Sequence, residues 1–242
     1  MIEIFNTILV RPLFNLLVVL YNFLPGHDFG VAIILLTVIV RLVLYPIAQK
    51  GIKAQKAQKD LQPQISALQK KYKDKKEKQA QELIKLYREN KVNPASGCLP
   101  LLIQLPVLIA LFQVLRLGIN PETLGFLYGF VAVPENINSS FLGLVDLGAT
   151  SLWLGLLAGI TQFVQGKMIL PDTSKAQKGD FAGAMNKQMI YAMPVITVLV
   201  AARFPAGLAL YWTVSNLFTI LQQYLIIRKK EKNEEKGNPG NN

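Results

Sequence analysis

The stretch FGVAIILLTVIVRLVLYPI, residues 29–47, sets the class of fold expected for this chain of 242 residues. Apart from Thr37, Arg41 and Tyr45, it holds no polar side chain. A helix needs about 20 predominantly apolar residues to cross the hydrocarbon core of a bilayer. The stretch therefore predicts a transmembrane helix that carries one charged side chain.

Similar apolar segments recur along the chain. Hydrophobic residues make up 51% of the sequence and mean hydropathy is +0.32, beside only 17% charged residues; soluble domains carry about a quarter charged residues. We predict an all-α polytopic membrane protein with five transmembrane helices around a hydrophilic groove. The predicted transmembrane segments are residues 29–49, 97–117, 152–170, 189–204 and 205–227.

Charge is distributed unequally between the segments that join these helices. Residues 50–91 hold 13 Lys or Arg against 5 acidic residues, whereas residues 118–151 hold three acidic residues and no Lys or Arg. The positive-inside rule makes the first segment cytoplasmic and the second extracytoplasmic. The N-terminus is then outside and the C-terminus inside, with a cytoplasmic loop at 171–188 and a basic tail at 228–242. The net charge of +11 mainly reports this orientation.

The segments on either side of the first predicted span have helical patterns of their own. In residues 1–28 apolar residues recur at helical spacing, but the continuous apolar run is short. This favours an amphipathic helix in the membrane interface, with a true span or signal anchor as the alternative. Residues 50–96 predict a basic hairpin of two helices, at about residues 50–70 and 75–90, with a turn at Tyr72, Lys73 and Asp74.

One Cys and one His restrict the site chemistry. Cys98 and His27 are too few for a zinc site or an intrachain disulfide. The segment from Gly159 to Lys167 is a poor phosphate-binding loop, because six residues rather than four separate its glycines and Met168 replaces the Ser or Thr. We predict no enzyme activity, no catalytic residues, no metal and no cofactor.

Arg41 is the most informative residue of the predicted spans. A cationic side chain at the centre of a membrane helix costs about 2.5–3.5 kcal/mol on insertion scales. Snorkelling to the cytoplasmic surface is one alternative. Helical side chains lean toward the helix N-terminus, however, which here is outside, so we favour an Arg41 that faces a hydrated groove.

Uncharged polar residues on the other spans are candidate groove groups, with interhelical hydrogen bonding as the alternative for each. Gly155 and Gly159 form a GxxxG pair, which we assign to helix packing. The polar candidates are Gln104, Thr161, Gln162, Gln165, Trp212, Ser215, Asn216, Thr219 and Gln223.

The predicted spans contain no Asp, Glu or His. Transporters coupled to protons or cations usually place such residues inside the membrane, so this function is disfavoured. A groove of net positive charge would instead attract acidic protein segments. Two alternatives stay open: an anion or small-solute transporter, which should show inverted repeats, and a structural subunit for membrane-protein assembly.

Several motifs taken together resemble one known family. They are residues 30–37 leading to Arg41 and Pro46, Leu61-Gln62-Pro63, residues 69–72, Lys91-Val92-Asn93-Pro94, Gly97-Cys98-Leu99-Pro100, Ile103-Gln104 with Pro106, residues 204–208, Leu210-Tyr211-Trp212 and Ser215-Asn216. The family is that of the YidC insertases, the bacterial branch of the group that includes the mitochondrial oxidase-assembly and chloroplast thylakoid insertases.

This resemblance implies a groove open to the cytoplasm and to lipid and closed toward the outside. The family's groove arginine falls on Arg41, its groove threonine on Thr37, and further groove positions on Gln165 and Trp212. The hairpin would recruit nascent membrane proteins, and the tail would face ribosomes or the general secretion channel of a bacterial plasma membrane, without nucleotide or DNA. We therefore predict a membrane protein insertase and folding chaperone, with substrate-groove residues Arg41, Thr37, Gln104, Gln165, Trp212, Ser215 and Asn216.

Overall fold

The structure is a computed structural model that describes residues 2–93, 99–117, 121–134, 138–170 and 181–237. It is about 78% helical, which confirms the predicted all-α class. Among the described residues, Glu3–Phe23 and Gly183–Ala201 are each long and apolar enough to cross a membrane, and the helices before and after Leu44 pass the same test as a pair. The predicted Gly97-Cys98 motif and most of the 171–188 loop lie outside the described residues.

The helices run in the following order. Helix α1 comprises α-helical Ile2–Phe5 and Arg11–Phe23 with π-helical Asn6–Val10 between them; α2 is Phe29–Val43, α3 Tyr45–Asp60, α4 Gln62–Lys71, α5 Lys76–Glu89, α6 Leu99–Leu117 and α7 Leu152–Ile169; α8 comprises Phe181–Lys187, π-helical Gln188–Ala192 and Met193–Ala201; and α9 is Ala206–Gly237. A 3₁₀ turn occupies Pro121–Phe126, and strands β1 (Ser140–Phe141) and β2 (Val145–Asp146) pair antiparallel.

Two predicted helices are each divided in the structure, and a proline lies just after each break. Pro46 is the second residue of α3 and Pro63 the second residue of α4. Proline has no N–H to donate and is favoured in the first turn of a helix, whereas in the interior it bends or breaks the helix unless packing compensates, as at Pro106 of α6. The apolar stretch at 29–47 is therefore divided at Leu44, and the predicted helix at residues 50–70 is divided at Leu61.

The described residues form two compact units. The first unit comprises residues 1–44, 101–162 and 194–218. The second comprises residues 45–100, 163–193 and 219–242. The core of the first unit draws apolar side chains from six helices and a loop: Val10, Phe14, Leu17, Val18, Tyr21, Ala32, Ile33, Leu36, Val107, Ala110, Leu111, Val114, Val131, Leu147, Leu154, Ala201, Ala206, Leu208, Ala209, Leu210 and Tyr211.

Glycines allow α7 and α8 to approach closely in the first unit. Gly155 and Gly159 are buried. A β-carbon at position 155 would lie 3.0 Å from the Ala201 β-carbon, and one at position 159 would lie 3.1 Å from the Pro194 carbonyl oxygen. The packing role predicted for this glycine pair is thereby confirmed.

The loop that follows α6 is attached to α1 through main-chain atoms. Asn15 is buried; its Nδ2 donates to the carbonyl oxygen of Phe126 at 2.8 Å, and its Oδ1 accepts from the N–H of Tyr128 at 2.7 Å. Two turns later on α1, Asn22 Nδ2 donates to the Ala132 carbonyl oxygen at 2.7 Å. One face of α1 therefore belongs to the packed core of the first unit, while its location in the membrane interface stays a prediction.

The second unit has a smaller apolar core. Ile52 of α3, Ile169 of α7 and Ile226 of α9 form its buried cluster. Helices α4 and α5 form a hairpin, in which Gln79 Nε2 donates to the Gln69 carbonyl oxygen at 2.9 Å. The turn between them lies at the residues where the sequence predicted it.

Candidate functional site

Arg41 lies near the end of α2, one turn after Thr37. Its guanidinium donates to Ser215 Oγ through Nε at 2.9 Å and also through Nη2. Ser215 belongs to α9 and is buried, whereas Arg41 is half-buried. The ion pairs Lys56–Asp60 on α3 and Lys85–Glu89 on α5 do not include Arg41. Because a serine hydroxyl is neutral, this contact orients the arginine without cancelling its charge.

A second polar contact lies one turn earlier on α9. Gln104 of α6 donates from Nε2 to the hydroxyl of Tyr211. Tyr211 is buried, and its hydroxyl also hydrogen-bonds with Ser215. Side chains from α2, α6 and α9 are thereby joined in one polar cluster, which consists of Arg41, Ser215, Tyr211 and Gln104.

Thr37 lies in the core of the first unit. It is buried, and its Oγ1 donates to the Ile33 carbonyl oxygen of the preceding turn at 2.7 Å. A threonine hydroxyl that bonds back to its own helix satisfies its hydrogen there. Thr37 therefore contributes to the packing of α2 one turn before Arg41. Its contact with substrate stays a prediction.

Asn216 joins α9 to α7. Its Nδ2 donates to the Ala158 carbonyl oxygen and to Thr161 Oγ1, both at 3.2 Å. The Thr161 hydroxyl donates in turn to the Leu157 carbonyl oxygen at 2.8 Å. Interhelical hydrogen bonding, the alternative left open for these polar residues, accounts for the contacts of this pair.

The last two predicted groove residues lie outside the polar cluster. Trp212 is half-buried and packs against the core of the first unit. Gln165 is half-buried and follows Thr161 by one turn on α7, but it belongs to the second unit. Of the seven residues predicted, the structure thus brings Arg41, Ser215 and Gln104 into one hydrogen-bonded cluster.

Tyr211 is the member of the polar cluster that the sequence did not single out. It appeared there only as part of a motif. Its spacing of four residues from Ser215 places both on one face of α9, and that spacing was the signal available to identify it. An aromatic residue in an apolar helix is usually a packing residue, which obscured its polar role.

Acidic and histidine side chains among the described residues are the other candidates for site chemistry. No group of three or more His, Cys, Asp or Glu side chains within them is arranged to hold a metal ion. His27 lies in the loop before α2, where its Nδ1 is 3.0 Å from the Tyr21 carbonyl oxygen. The arrangement therefore offers a fixed positive charge and neutral hydrogen-bonding groups.

Comparisons with known proteins show which family the chain resembles. The family model for the 60Kd inner membrane protein matches residues 19–234. A protein of Fusobacterium nucleatum named membrane protein insertase YidC is 36% identical over 84% of this chain and 87% of its own length. The protein of that name from Clostridium perfringens is 35% identical over 94% of this chain and 98% of its own length.

Longer proteins with the same name also match. The relative from Pelobacter propionicus is 36% identical over 91% of this chain, but the match covers only 38% of that protein. The chain thus spans nearly all of some relatives and little more than a third of others.

Proposed function

This chain belongs to the 60Kd inner membrane protein family, the family of the YidC insertases, and from that premise we propose that it inserts other proteins into the membrane and assists their folding. Its substrates would be nascent membrane proteins, and its location the bacterial plasma membrane. Neither nucleotide nor cofactor has a role in this proposal.

The observation that carries the proposal is the pairing of Arg41 with a neutral hydroxyl. An arginine that a carboxylate neutralises has little attraction for a further anion. Ser215 instead holds the guanidinium by two of its five N–H donors. Arg41 therefore keeps a net charge that favours acidic or polar segments of a substrate.

The mechanism we propose is a lowered desolvation barrier. Moving an unpaired polar group from water into an apolar environment costs roughly 2–7 kcal/mol, and a translocated tail carries many such groups. A hydrated groove around Arg41 would lower this cost for the tail. The apolar helix of the substrate then enters lipid, and its transfer from water supplies the driving force.

The predicted groove residues, together with Tyr211, each have a role in this proposal. Ser215, Tyr211 and Gln104 hold Arg41 in position. Thr37 and Asn216 support the helices that carry the polar cluster, as their contacts within the first unit suggest. Trp212 and Gln165 stay groove residues on the strength of the family resemblance.

The proposed topology follows from the charges of the connecting segments. Residues 50–96, with their excess of Lys and Arg, would lie in the cytoplasm and recruit substrate. Residues 118–151, without Lys or Arg, would lie outside. The basic tail would face the ribosome or the general secretion channel.

The test replaces the native insertase of a depletion strain by this chain. Its readout is the insertion of a single-span substrate with an acidic translocated tail. Arg41→Ala should lower the insertion rate about tenfold, which corresponds to roughly 1.4 kcal/mol of barrier. Arg203→Ala is the matched control, because Arg203 is an exposed arginine in the turn between α8 and α9.

A second substrate, identical except for a neutral tail, separates attraction of charge from structural support. Arg41→Ala should affect this substrate much less than the acidic one, and Arg41→Lys should retain part of the activity. Equal losses for both tails would indicate that Arg41 only stabilises the fold. Full activity of Arg41→Ala would favour a structural assembly subunit, and uptake of a small anion would favour a transporter.

A further inference from the structure

The turn between β1 and β2 presents two leucines on the surface of the first unit. Leu142 and Leu144 flank Gly143, and they are 62% and 83% exposed. The φ angle of Leu142 is 52°, in the left-handed region that bulky residues rarely adopt. Asparagine or glycine would suit both this backbone conformation and exposure to water. Leucine at position 142 is therefore unfavourable for the fold on two separate grounds.

The base of this turn is firmly attached to the first unit. The N–H of Leu142 donates to Asp28 Oδ2 at 2.6 Å, and the N–H of Leu144 donates to the Phe141 carbonyl oxygen at 2.9 Å. The Phe141 ring covers Gly30 of α2 so closely that a β-carbon at position 30 would overlap it. The two leucines are thus exposed on a turn whose base is fixed to α2 and to the loop before it.

Further large apolar side chains are exposed in the same unit. Phe130 is 82% exposed, and Phe23, at the end of α1, is 86% exposed. The hydrogen bond from Asn22 to the Ala132 carbonyl oxygen, 2.7 Å long, connects the segments that carry these two phenylalanines. Exposed aromatic and leucine side chains on attached segments are unfavourable in water and favourable in lipid.

We propose that Leu142 and Leu144, together with Phe130 and Phe23, insert into the lipid leaflet on the extracytoplasmic side. This inference concerns how the outer loop contacts the bilayer and goes beyond the proposed function; its choice of leaflet rests on the topology proposed with that function. The loop would then anchor the first unit at the depth where amphipathic segments bury their apolar faces.

Lipid is a better partner for these four exposed side chains than a protein is. The exposed side chains come from three separate segments, and a fluid hydrocarbon layer accommodates such separate points without a shaped counterpart. Residues 118–151 have no Lys or Arg, so attraction to anionic headgroups does not contribute. Trp153, 79% exposed at the start of α7 directly after the loop, is a residue type enriched at membrane interfaces.

The test measures the depth of position 144 in a bilayer. In a Cys98→Ser background, Leu144→Cys is labelled with an NBD fluorophore and reconstituted into vesicles of phosphatidylethanolamine and phosphatidylglycerol. Lipid carrying a doxyl quencher near the headgroup should reduce the fluorescence about twofold, because inserted apolar faces lie roughly 5–10 Å deep. The same label at Lys73→Cys, in the exposed turn after α4, is the control and should be quenched much less.

Quenching at position 144 that does not exceed quenching at position 73 would overturn the inference. This readout needs no insertase activity, so its failure and a failure of the proposed function are distinguishable. Insertion by the unlabelled Cys98→Ser chain is measured in the same vesicles.

A second variant guards against an effect of the label itself. Leu142→Asn with Leu144→Asn should fold, because asparagine accepts the left-handed conformation at position 142. Its melting temperature in detergent should equal that of the native chain or exceed it, whereas the additional stability that vesicles give the native chain should decrease. An unchanged difference between vesicles and detergent would contradict lipid insertion.

Discussion

The two units of this chain are stabilised in different ways. Among the described residues, 21 apolar side chains form the buried cluster of the first unit, whereas the second unit has Ile52, Ile169 and Ile226. Both units join residues far apart in sequence: Arg41 donates to Ser215 in the first, and Lys59 Nζ donates to the Met168 carbonyl oxygen at 2.8 Å in the second. The ion pairs described in the second unit lie within single helices, four residues apart. Pairs of this kind contribute only about 0.2–0.5 kcal/mol each.

This difference shows what the polar cluster requires. A guanidinium keeps one position in an apolar helix only if the helices that carry its partners are fixed, and the large core of the first unit fixes them. The second unit has a smaller buried apolar cluster, so less packing stabilises its helices. We therefore expect substitutions in the first unit to have the larger effects on stability.

The largest effect should come from the core itself. Phe14→Ala removes a side chain that is 1% exposed and leaves a cavity, so the free energy of unfolding should fall by about 3 kcal/mol or more. Ile226→Ala in the second unit should cost no more than about 2 kcal/mol, because a small cluster can collapse around the change. Denaturant unfolding in detergent micelles measures both. Equal losses would refute the contrast between the two cores.

An intermediate effect should come from two glycines on one helix, α7. Gly159→Ala brings a β-carbon 3.1 Å from the Pro194 carbonyl oxygen and closer still to Val198, so it should destabilise the chain by about 1–3 kcal/mol. Gly166, in the second unit, has its nearest neighbour atoms at 3.8 Å, which is ordinary contact. Gly166→Ala should therefore leave stability unchanged or raise it by up to about 1 kcal/mol.

Melting temperatures of the two variants under identical conditions check this prediction. The two substitutions are chemically identical and lie on the same helix, so helix propensity cancels in the comparison. Similar destabilisation by both would show that the second unit packs as tightly as the first.

The smallest effect should come from the loop of the first unit. The pKa of Asp146 is lowered, first because the Ser139 hydroxyl donates to its carboxylate at 2.7 Å and next because the N–H of Gly148 donates to it at 2.9 Å. Because the folded-state pKa is depressed, the stabilisation is present above the unfolded-state value of about 3.9 and is lost as the pH falls through the folded-state pKa. Asp146 is exposed, so the change in stability is small.

Ser139→Ala should move the pKa of Asp146 upward, toward its ordinary value. An NMR titration of the Asp146 carboxylate before and after the substitution measures this shift. A pKa that stays in place or falls would mean that the backbone N–H alone sets it.

Local patterns in the sequence predicted the all-α class, which the structure confirms, and they singled out Arg41, whose role in a groove stays a prediction. Apolar runs and charge asymmetry indicated the all-α class, and a lone cation in an apolar run indicated Arg41. The division at Leu44 and Leu61 was not predicted, although Pro46 and Pro63 were visible. The apolar pattern continues through each break, so it predicted one continuous helix at each site despite the proline.

The remaining features depend on residues that are distant along the chain. The bond of Asn15 to Phe126 joins positions 111 residues apart, and the bond of Arg41 to Ser215 joins positions 174 apart. No local pattern encodes such a pairing, because the partner is chosen by how the helices pack. The spacing of Tyr211 from Ser215 was visible in the sequence, but its bond to Gln104 depends on how α6 packs against α9.

The attachment of the loop to α1 has a consequence for protein engineering. Asn15 and Asn22 bond to carbonyl oxygens and an N–H of the loop, which every residue type except proline provides in full. The side chains that position these loop segments therefore belong to α1, and the loop contributes only main-chain atoms to these bonds. An affinity tag or a spectroscopic label can therefore replace outward-facing loop side chains without removing these attachments.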